Sequence, residues 1–352
     1  MKLYSSLVLV FFLVLVAITL GLFLTLIVRR AIVQYRERKF AARYRKIEGE
    51  LLKLLGEPGV DGALALADRH AKFPHVLTDV LVNYSRSLWG GEQAKLFAIF
   101  NRALRSRFRA DLSSRRIVRR LRAARLIGFF VDHSDATVIK DLLQGSPIVR
   151  LAAANAIAQS PSTEAVPIIF RAFETDDVEN AHAYKNVLFS LKTRAENGIR
   201  EALKKPLDQK KIEILIEIVG SIPIIALAED VAAFAEHQDK EVRLRVARAL
   251  GRLRRPDMLP VLLRLARDKA WEVVAQAVKS LGRLGSPEAL DILTQALFSQ
   301  QWYVRYNARE GLLNMGESGI ARLDQVARQN RDRDAADMAA MGLVDAEFKE
   351  GS

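Results

Sequence analysis

The first pattern along the chain is an unbroken apolar run. No charged residue occurs from Leu3 to Val28, and Leu7 to Val28 is almost wholly Leu, Val, Ile and Phe, with Thr19, Gly21 and Thr25 as mild exceptions. About 20 apolar residues cross a bilayer core as a helix, so the run predicts a membrane-spanning helix within residues 1–28. It is too long for the apolar region of a secretory leader, and no A-x-A-like site closes it; Val28-Arg29-Arg30 follows instead.

The next stretch, residues 29–56, reads as a basic helical stalk. No Gly or Pro interrupts Arg29 to Leu55 before Gly49, and Val33, Phe40, Ile47 and Leu54 recur at seven. Tyr44 and Leu51 sit at the second seam position, but Glu37 breaks it. Either this stalk pairs with another helix or its C-terminal half packs onto the first helix of the domain that follows. Glu57-Pro58-Gly59 ends it. Helical periodicity then predicts helices at Asp61–Lys72, His75–Leu88, Glu92–Phe108 and Ser113–Val131, with Asp111 as an N-cap. No alternating strand pattern bounded by turns is found.

The decisive pattern is a repeat of about 31 residues. Down one column stand Val149, Asn180, Lys211, Val242, Val273 and Val304; down the next, Ala153, Tyr184, Leu215, Val246, Ala277 and Ala308. A third holds Ile157, Leu188, Val219, Leu250, Leu281 and Leu312, and a fourth Ala158, Phe189, Gly220, Gly251, Gly282 and Leu313. Offsets of four, eight and nine define one face of a helix. Each unit holds another helix: Glu164–Phe173, Ile199–Leu207, Ile225–Ala235, Met258–Ala266, Glu288–Leu297 and Gly319–Ala327. Turn signals such as Ser160-Pro161 and Gly285-Ser286-Pro287 separate them. The unit is a helical hairpin, and a stack of hairpins buries what one cannot.

The segment Glu241-Val242-Arg243-Leu244-Arg245-Val246-Ala247-Arg248-Ala249-Leu250-Gly251 resembles a helix of the bacterial HEAT repeats of the phycobilin-lyase type. Asp239 and Asp268 match that family's turn acid; Val149-Arg150, Val242-Arg243 and Val304-Arg305 match its Val-Arg pair. Asn180, Lys211 and Val274 depart from the pattern. The resemblance covers about 117–327 and implies an all-α fold, a right-handed α-solenoid of HEAT-like hairpins. It also implies that Arg150, Arg243 and Arg305 pair with a turn Asp of a neighbouring repeat, and that the helices beginning at Trp271 and Trp302 line the concave side. The organisation expected is a membrane helix at 1–28, the stalk at 29–56, and a solenoid at 57–330 whose repeats are degenerate to about 147 and clearer over 148–330. A capping helix and tail follow at 331–352.

Charge sharpens the picture. Lys and Arg exceed Asp and Glu to give a net +13, which calls for an anionic partner or surface. Only Lys2 precedes the apolar run, whereas Arg29, Arg30, Arg36, Arg38, Lys39, Arg43, Arg45 and Lys46 follow it. Basic flanks stay cytoplasmic, so the N-terminus should face outward and the rest should lie in the cytoplasm, as a single-pass protein of a cell inner membrane. The same cluster should attract anionic lipid headgroups.

Three sets of residues are candidates for recognition. Arg115, Arg119 and Arg122, with Arg116 and Arg120 beside them, belong to an arginine run whose counter-charge is Asp111. They form either an anion-binding patch or a solvated face paired with carboxylates of adjacent hairpins. Trp271 and Trp302 hold one repeat position, with Lys240 one repeat earlier. They are either a partner hot spot or packing residues of the inter-helix turn. The histidines His70, His75, His133, His182 and His237 show no metal-ligand spacing, and there is no cysteine. No Walker loop, G-x-S-x-G or G-x-G-x-x-G occurs, and no acidic pair stands out. No enzyme activity, cofactor, metal or small-molecule substrate is therefore expected.

The function these readings favour is a membrane-anchored adaptor binding protein partners, of the kind that serves envelope polysaccharide export or signalling complexes. A bilin lyase-like enzyme is an alternative suggested by the repeats. A nucleic-acid-binding HEAT-like protein, resembling the alkylpurine DNA glycosylases, is another suggested by the charge. Much of that charge flanks the apolar run, where topology accounts for it, so no nucleic acid is expected as partner.

Overall fold

The computed structural model describes residues 2–85, 87–88, 90–130, 143, 145–159, 165–329 and 332–350, with side chains from residue 18 to 347. His133 and the Ser160-Pro161 turn lie outside the described residues. The chain forms two compact units, Met1–Phe130 and Val131–Ser352. Among the described residues there is no strand.

The first unit begins with one continuous helix, α1, Lys2–Leu55. From Ile18 to Val33 its apolar side chains are exposed (Ile18 59%, Leu24 62%). Helices α2 (Asp61–His70), α3 (Pro74–Tyr84), α4 (Gly91–Ala103), α5 (Arg105–Leu112) and α6 (Ile117–Ile127) follow. The last turns of α1 pack on α2 and α3. Ile47 and Leu51 are buried there, whereas Val33 and Phe40 are exposed, so the seven-residue recurrence has a buried half and a bare half. Polar ties fix the joint: Glu50 accepts from Arg69 at 2.7 Å, Tyr84 donates to Glu48 at 2.9 Å, and the Arg43 guanidinium lies 4.1 Å from the Phe73 ring centre. The buried Lys95 caps the end of α1, donating to the carbonyls of Leu54, Leu55 and Glu57.

Two boundaries differ from the expectation. The helix predicted over Glu92–Phe108 is broken at Leu104, whose φ of −126° is not helical. The break turns Phe108 onto Phe100, rings 5.9 Å apart and nearly parallel, and lets the buried Arg105 donate to the Phe130 carbonyl at 2.8 Å. Asp111 is accordingly inside α5 rather than an N-cap, and α6 starts only at Ile117.

The second unit is an α-solenoid. Its long helices are α7 (Pro147–Ala158), α9 (Val178–Ser190), α11 (Gln209–Ser221), α13 (Lys240–Leu253), α15 (Trp271–Leu284) and α17 (Trp302–Leu313). Their first residues, 147, 178, 209, 240, 271 and 302, are each 31 apart. Between them lie α8 (Ala165–Thr175), α10 (Glu196–Leu203), α12 (Ala228–Ala232), α14 (Leu259–Leu265) and α16 (Leu290–Ala296), and α18 (Glu317–Gln329) follows the last. Each long helix packs on the next, and α19 (Arg333–Glu350) closes the stack against α17 and α18. The repeat columns are its core: Val246, Leu250, Ala277, Leu281, Ala308 and Leu312 are each fully buried.

Three members of the fourth column, Gly220, Gly251 and Gly282, are glycine where neighbouring long helices approach closely, whereas Phe189 in the same column is exposed. A Cβ on Gly282 would stand 2.3 Å from the Gly311 Cα of the next long helix. Two of the Val-Arg arginines tie successive repeats together through turn acids, Arg150 to Asp176 and Arg243 to Asp268, each at 2.6 Å; Arg305 departs from the expectation and reaches Asp334, inside α19, at 2.9 Å. The departures at Asn180 and Lys211, together with Tyr184, belong to the same device. Asn180 and Tyr184 donate to Asp176, at 3.0 and 3.1 Å, while Lys211 donates to the carbonyls of Glu174 and Asp176.

Candidate functional site: an aromatic and basic ridge on the long helices

Lys240, Trp271 and Trp302 are the first residues of α13, α15 and α17. The first position of a helix needs no side-chain burial, and here the indoles stay largely open, Trp271 at 41% and Trp302 at 50% exposure. Lys240 and Trp271 each reach the second residue of the next long helix. The Lys240 ammonium lies 2.5 Å from Glu272, and Trp271 stacks on Tyr303 with ring centres 6.3 Å apart. The Glu272 carboxylate raises the Lys240 pKa and is itself lowered by Lys240. The structure therefore puts Lys240 in an ion pair beside the ridge, and the two tryptophans in one aromatic cluster.

Two members of that cluster were not legible as repeats. Tyr303 is 61% exposed and meets Trp302 edge-on at 5.1 Å; Tyr306 stacks on the other face of the cluster, 5.1 Å from Trp302. They stand where earlier repeats carry Glu272 and Ala275, so a search by column passes over them. Their signal is local: aromatics at i, i+1 and i+4 at the start of one helix.

These rings continue into a shallow groove lined by Leu244, Arg248, Gln276, Lys279 and Asn307. Arg248 and Lys279 hold one repeat position; Arg252 and Arg283 hold another, one turn further on. Arg248 donates to Gln276 at 3.3 Å and Arg252 to Ser221 at 2.9 Å. Burial first, then the neighbouring charges of Arg245 and Arg252, push the Arg248 pKa down. Of the acids near this surface, Glu217 accepts from Lys185 and Arg245 and Glu272 from Lys240, while Glu217 and Glu241 also act on Arg248 through their charge.

The arginine run of the first unit is arranged differently from the expectation. Because α6 starts at Ile117, Arg115 and Arg116 precede the helix, and only Arg119, Arg120 and Arg122 lie on it. Arg115, Arg116, Arg119 and Arg122 are exposed, and Arg120 is half-buried. Arg122 lies 3.1 Å from His75 Nδ1. None of the five forms an ion pair with a carboxylate among the described residues. Ile117 and Val118, at 40% and 73% exposure, lie beside them.

Residues 228–313 match the family model for HEAT repeats. This segment is a run of HEAT repeats. No curated protein matches the sequence. Among solved structures, the chain is similar to Kap121p bound to Ste12p, at 11% identity over 85% of this chain and 41% of that one, with a TM-score of 0.51. Kap121p bound to Pho4p matches at 10% identity, with the same coverage and a TM-score of 0.51. The complex of CpcE and CpcF of phycocyanin lyase from a Nostoc species matches at 20% identity, over 62% of this chain and 92% of that one, with a TM-score of 0.33. The Kap121p likeness shows the fold, a solenoid of HEAT hairpins, and this chain spans about two-fifths of that protein's chain.

Proposed function

We propose that this chain is a membrane-anchored HEAT-repeat scaffold that binds a protein partner at the cytoplasmic face of a bacterial inner membrane, within an envelope machine of the polysaccharide-export or signalling kind. The observation that carries the reading is the exposed ridge of Trp271, Trp302 and Tyr303. Large rings left in water on a rigid stack are a poor choice for stability and a good one for recognition, since Trp and Tyr are enriched in binding hot spots. Kap121p, whose fold this chain shares, is itself solved bound to other proteins. Fold does not transfer function, but a stacked surface of this kind is suited to holding an extended partner.

The tether completes the proposal. Among the described residues, α1 is long and apolar enough to cross a membrane, by length and composition. Residues 1–28 would span it, residues 29–56 would lead away from it, and the basic flank would hold the C-terminal part inside. Confinement to a membrane raises the scaffold's effective concentration near other membrane proteins. Arg115, Arg116, Arg119, Arg120 and Arg122, with the apolar Ile117 and Val118, would add a site for anionic headgroups in the first unit.

The double substitution Trp271→Ala, Trp302→Ala tests the ridge. Losing exposed rings should leave the thermal midpoint almost unchanged, within about 0.5 kcal/mol each. Partner recovery from solubilised membranes should fall by at least the equivalent of about 2 kcal/mol per hot spot. A large fall in the midpoint would make the tryptophans packing residues and move the partner surface elsewhere.

A further inference from the structure

Resting on the reading of the ridge as a partner surface, we propose that its partner is an acidic peptide segment, which sets an apolar side chain on the Trp271–Trp302–Tyr303 cluster and aims carboxylates at Arg248, Lys279, Arg252 and Arg283. The argument is charge complementarity along two neighbouring helices. On α13 and α15 four cations occupy two repeat positions, one helical turn apart, and no ion pair to a carboxylate is formed by any of them among the described residues. Arg248 is half-buried and hydrogen-bonds to a neutral amide, Gln276. A partly desolvated guanidinium beside two others gains most from an incoming carboxylate, which it can hold in a bidentate pair. The nearby acids Glu217 and Glu272 already accept from Lys185, Arg245 and Lys240, and Glu217 and Glu241 act on Arg248 through their charge without an ion pair to it among the described residues, so the groove still offers cations that no carboxylate pairs directly.

The geometry adds a spacing. Trp271 starts α15, Lys279 lies eight residues on and Arg283 twelve. At about 1.5 Å per residue the cations stand roughly 12 and 18 Å from the aromatic end. An extended segment covers that in about four to six residues at roughly 3.3 Å each. The preferred segment thus carries an apolar residue, then Asp or Glu about four to six positions away.

Selection from a random twelve-residue peptide display library, on the full chain held in lipid nanodiscs, tests this. The recovered peptides are then titrated against the parent chain and three variants: Trp271→Ala with Trp302→Ala, Lys279→Ala with Arg283→Ala, and Arg248→Ala. Thermal midpoints show that each variant is folded, and the exposed Lys279 and Arg283 pair keeps the test valid should Arg248→Ala unfold. The expected result is enrichment of acidic peptides with one apolar residue at that spacing. Their affinity should fall at least tenfold in both the tryptophan and the Lys279/Arg283 variants, and weaken with added salt. Peptides that need the tryptophans but show no acidic enrichment and ignore the cation variants would overturn the acidic partner while leaving the ridge in place. Peptides indifferent to the tryptophans, or none recovered at all, would overturn both.

Discussion

At the residue scale, glycines and buried ion pairs decide how closely the hairpins stack. Gly282 lies where a Cβ would collide with the backbone of Gly311, whereas Gly49, inside α1, has nothing within 4 Å of such a Cβ. Alanine is favoured over glycine in a helix interior by up to about 1 kcal/mol. The two alanine substitutions should therefore have opposite signs. Gly49→Ala should be neutral or stabilising, and Gly282→Ala should destabilise by about 1–3 kcal/mol, because the clash is with main chain that cannot swing aside. Denaturant unfolding of the two variants checks this, and a Gly282→Ala chain as stable as the parent would contradict the packing described. The Arg243–Asp268 pair is nearly sealed from solvent, at 6% and 9% side-chain exposure. Burial alone would raise the Asp268 pKa, but Arg243 and the Ala270 amide outweigh it and hold the carboxyl below its ordinary value; Asp176 is held down in the same way by Arg150 and its neighbours. A folded pKa below the unfolded value, about 3.9 for Asp, means the unfolded chain binds more protons in between. The stability these two pairs contribute is thus complete above about pH 4 and is lost as the pH falls through the folded values. Asp268→Asn should reduce stability at neutral pH and flatten the acid limb of the profile. An unchanged acid limb would show that the pair is not coupled to folding.

At the element scale, the long helix α1 joins two environments. Its residues from Ile18 to Phe40 leave apolar side chains bare, and from Ile47 onward it is built into the first unit. The free stretch 29–40 would set that unit roughly 18 Å along the helix from the end of the apolar run. A C-terminal alkaline phosphatase fusion, active only outside the membrane, should be silent, and a C-terminal fluorescent fusion should be bright; the reverse pattern would invert the topology. Elements were legible in the sequence in proportion to how local their cause is. The repeat starts at 147, 178, 209, 240, 271 and 302 follow from columns of apolar residues that the helix period requires. The break at Leu104 and the late start of α6 were hidden, since neither Gly nor Pro marks them. The break at Leu104 goes with contacts that an unbroken helix could not make, Phe108 stacked on Phe100 and Arg105 on the Phe130 carbonyl. The ridge was half legible: Trp271, Trp302 and Lys240 align by column, whereas Tyr303 and Tyr306 join through space. The cations of the groove also align at 31, but columns of exposed charge carry no packing signal and are passed over in a search for apolar ones.

At the scale of the whole molecule, a stack of HEAT hairpins carries an exposed aromatic ridge on its long-helix row, and an apolar helix is able to anchor the chain. On the function proposed, the ridge is where a partner is held in the cell. The most direct measurement is photo-crosslinking in intact cells, with a photoreactive amino acid placed in the full chain at Tyr303 or, as a control, at Glu288 in the exposed turn that leads into α16. The expected result is a discrete crosslinked species from position 303, found with the membranes, lost when Trp271 and Trp302 are replaced by alanine, and absent from position 288. No adduct at 303 together with a discrete one at 288, or a 303 adduct that survives loss of both tryptophans, would contradict it.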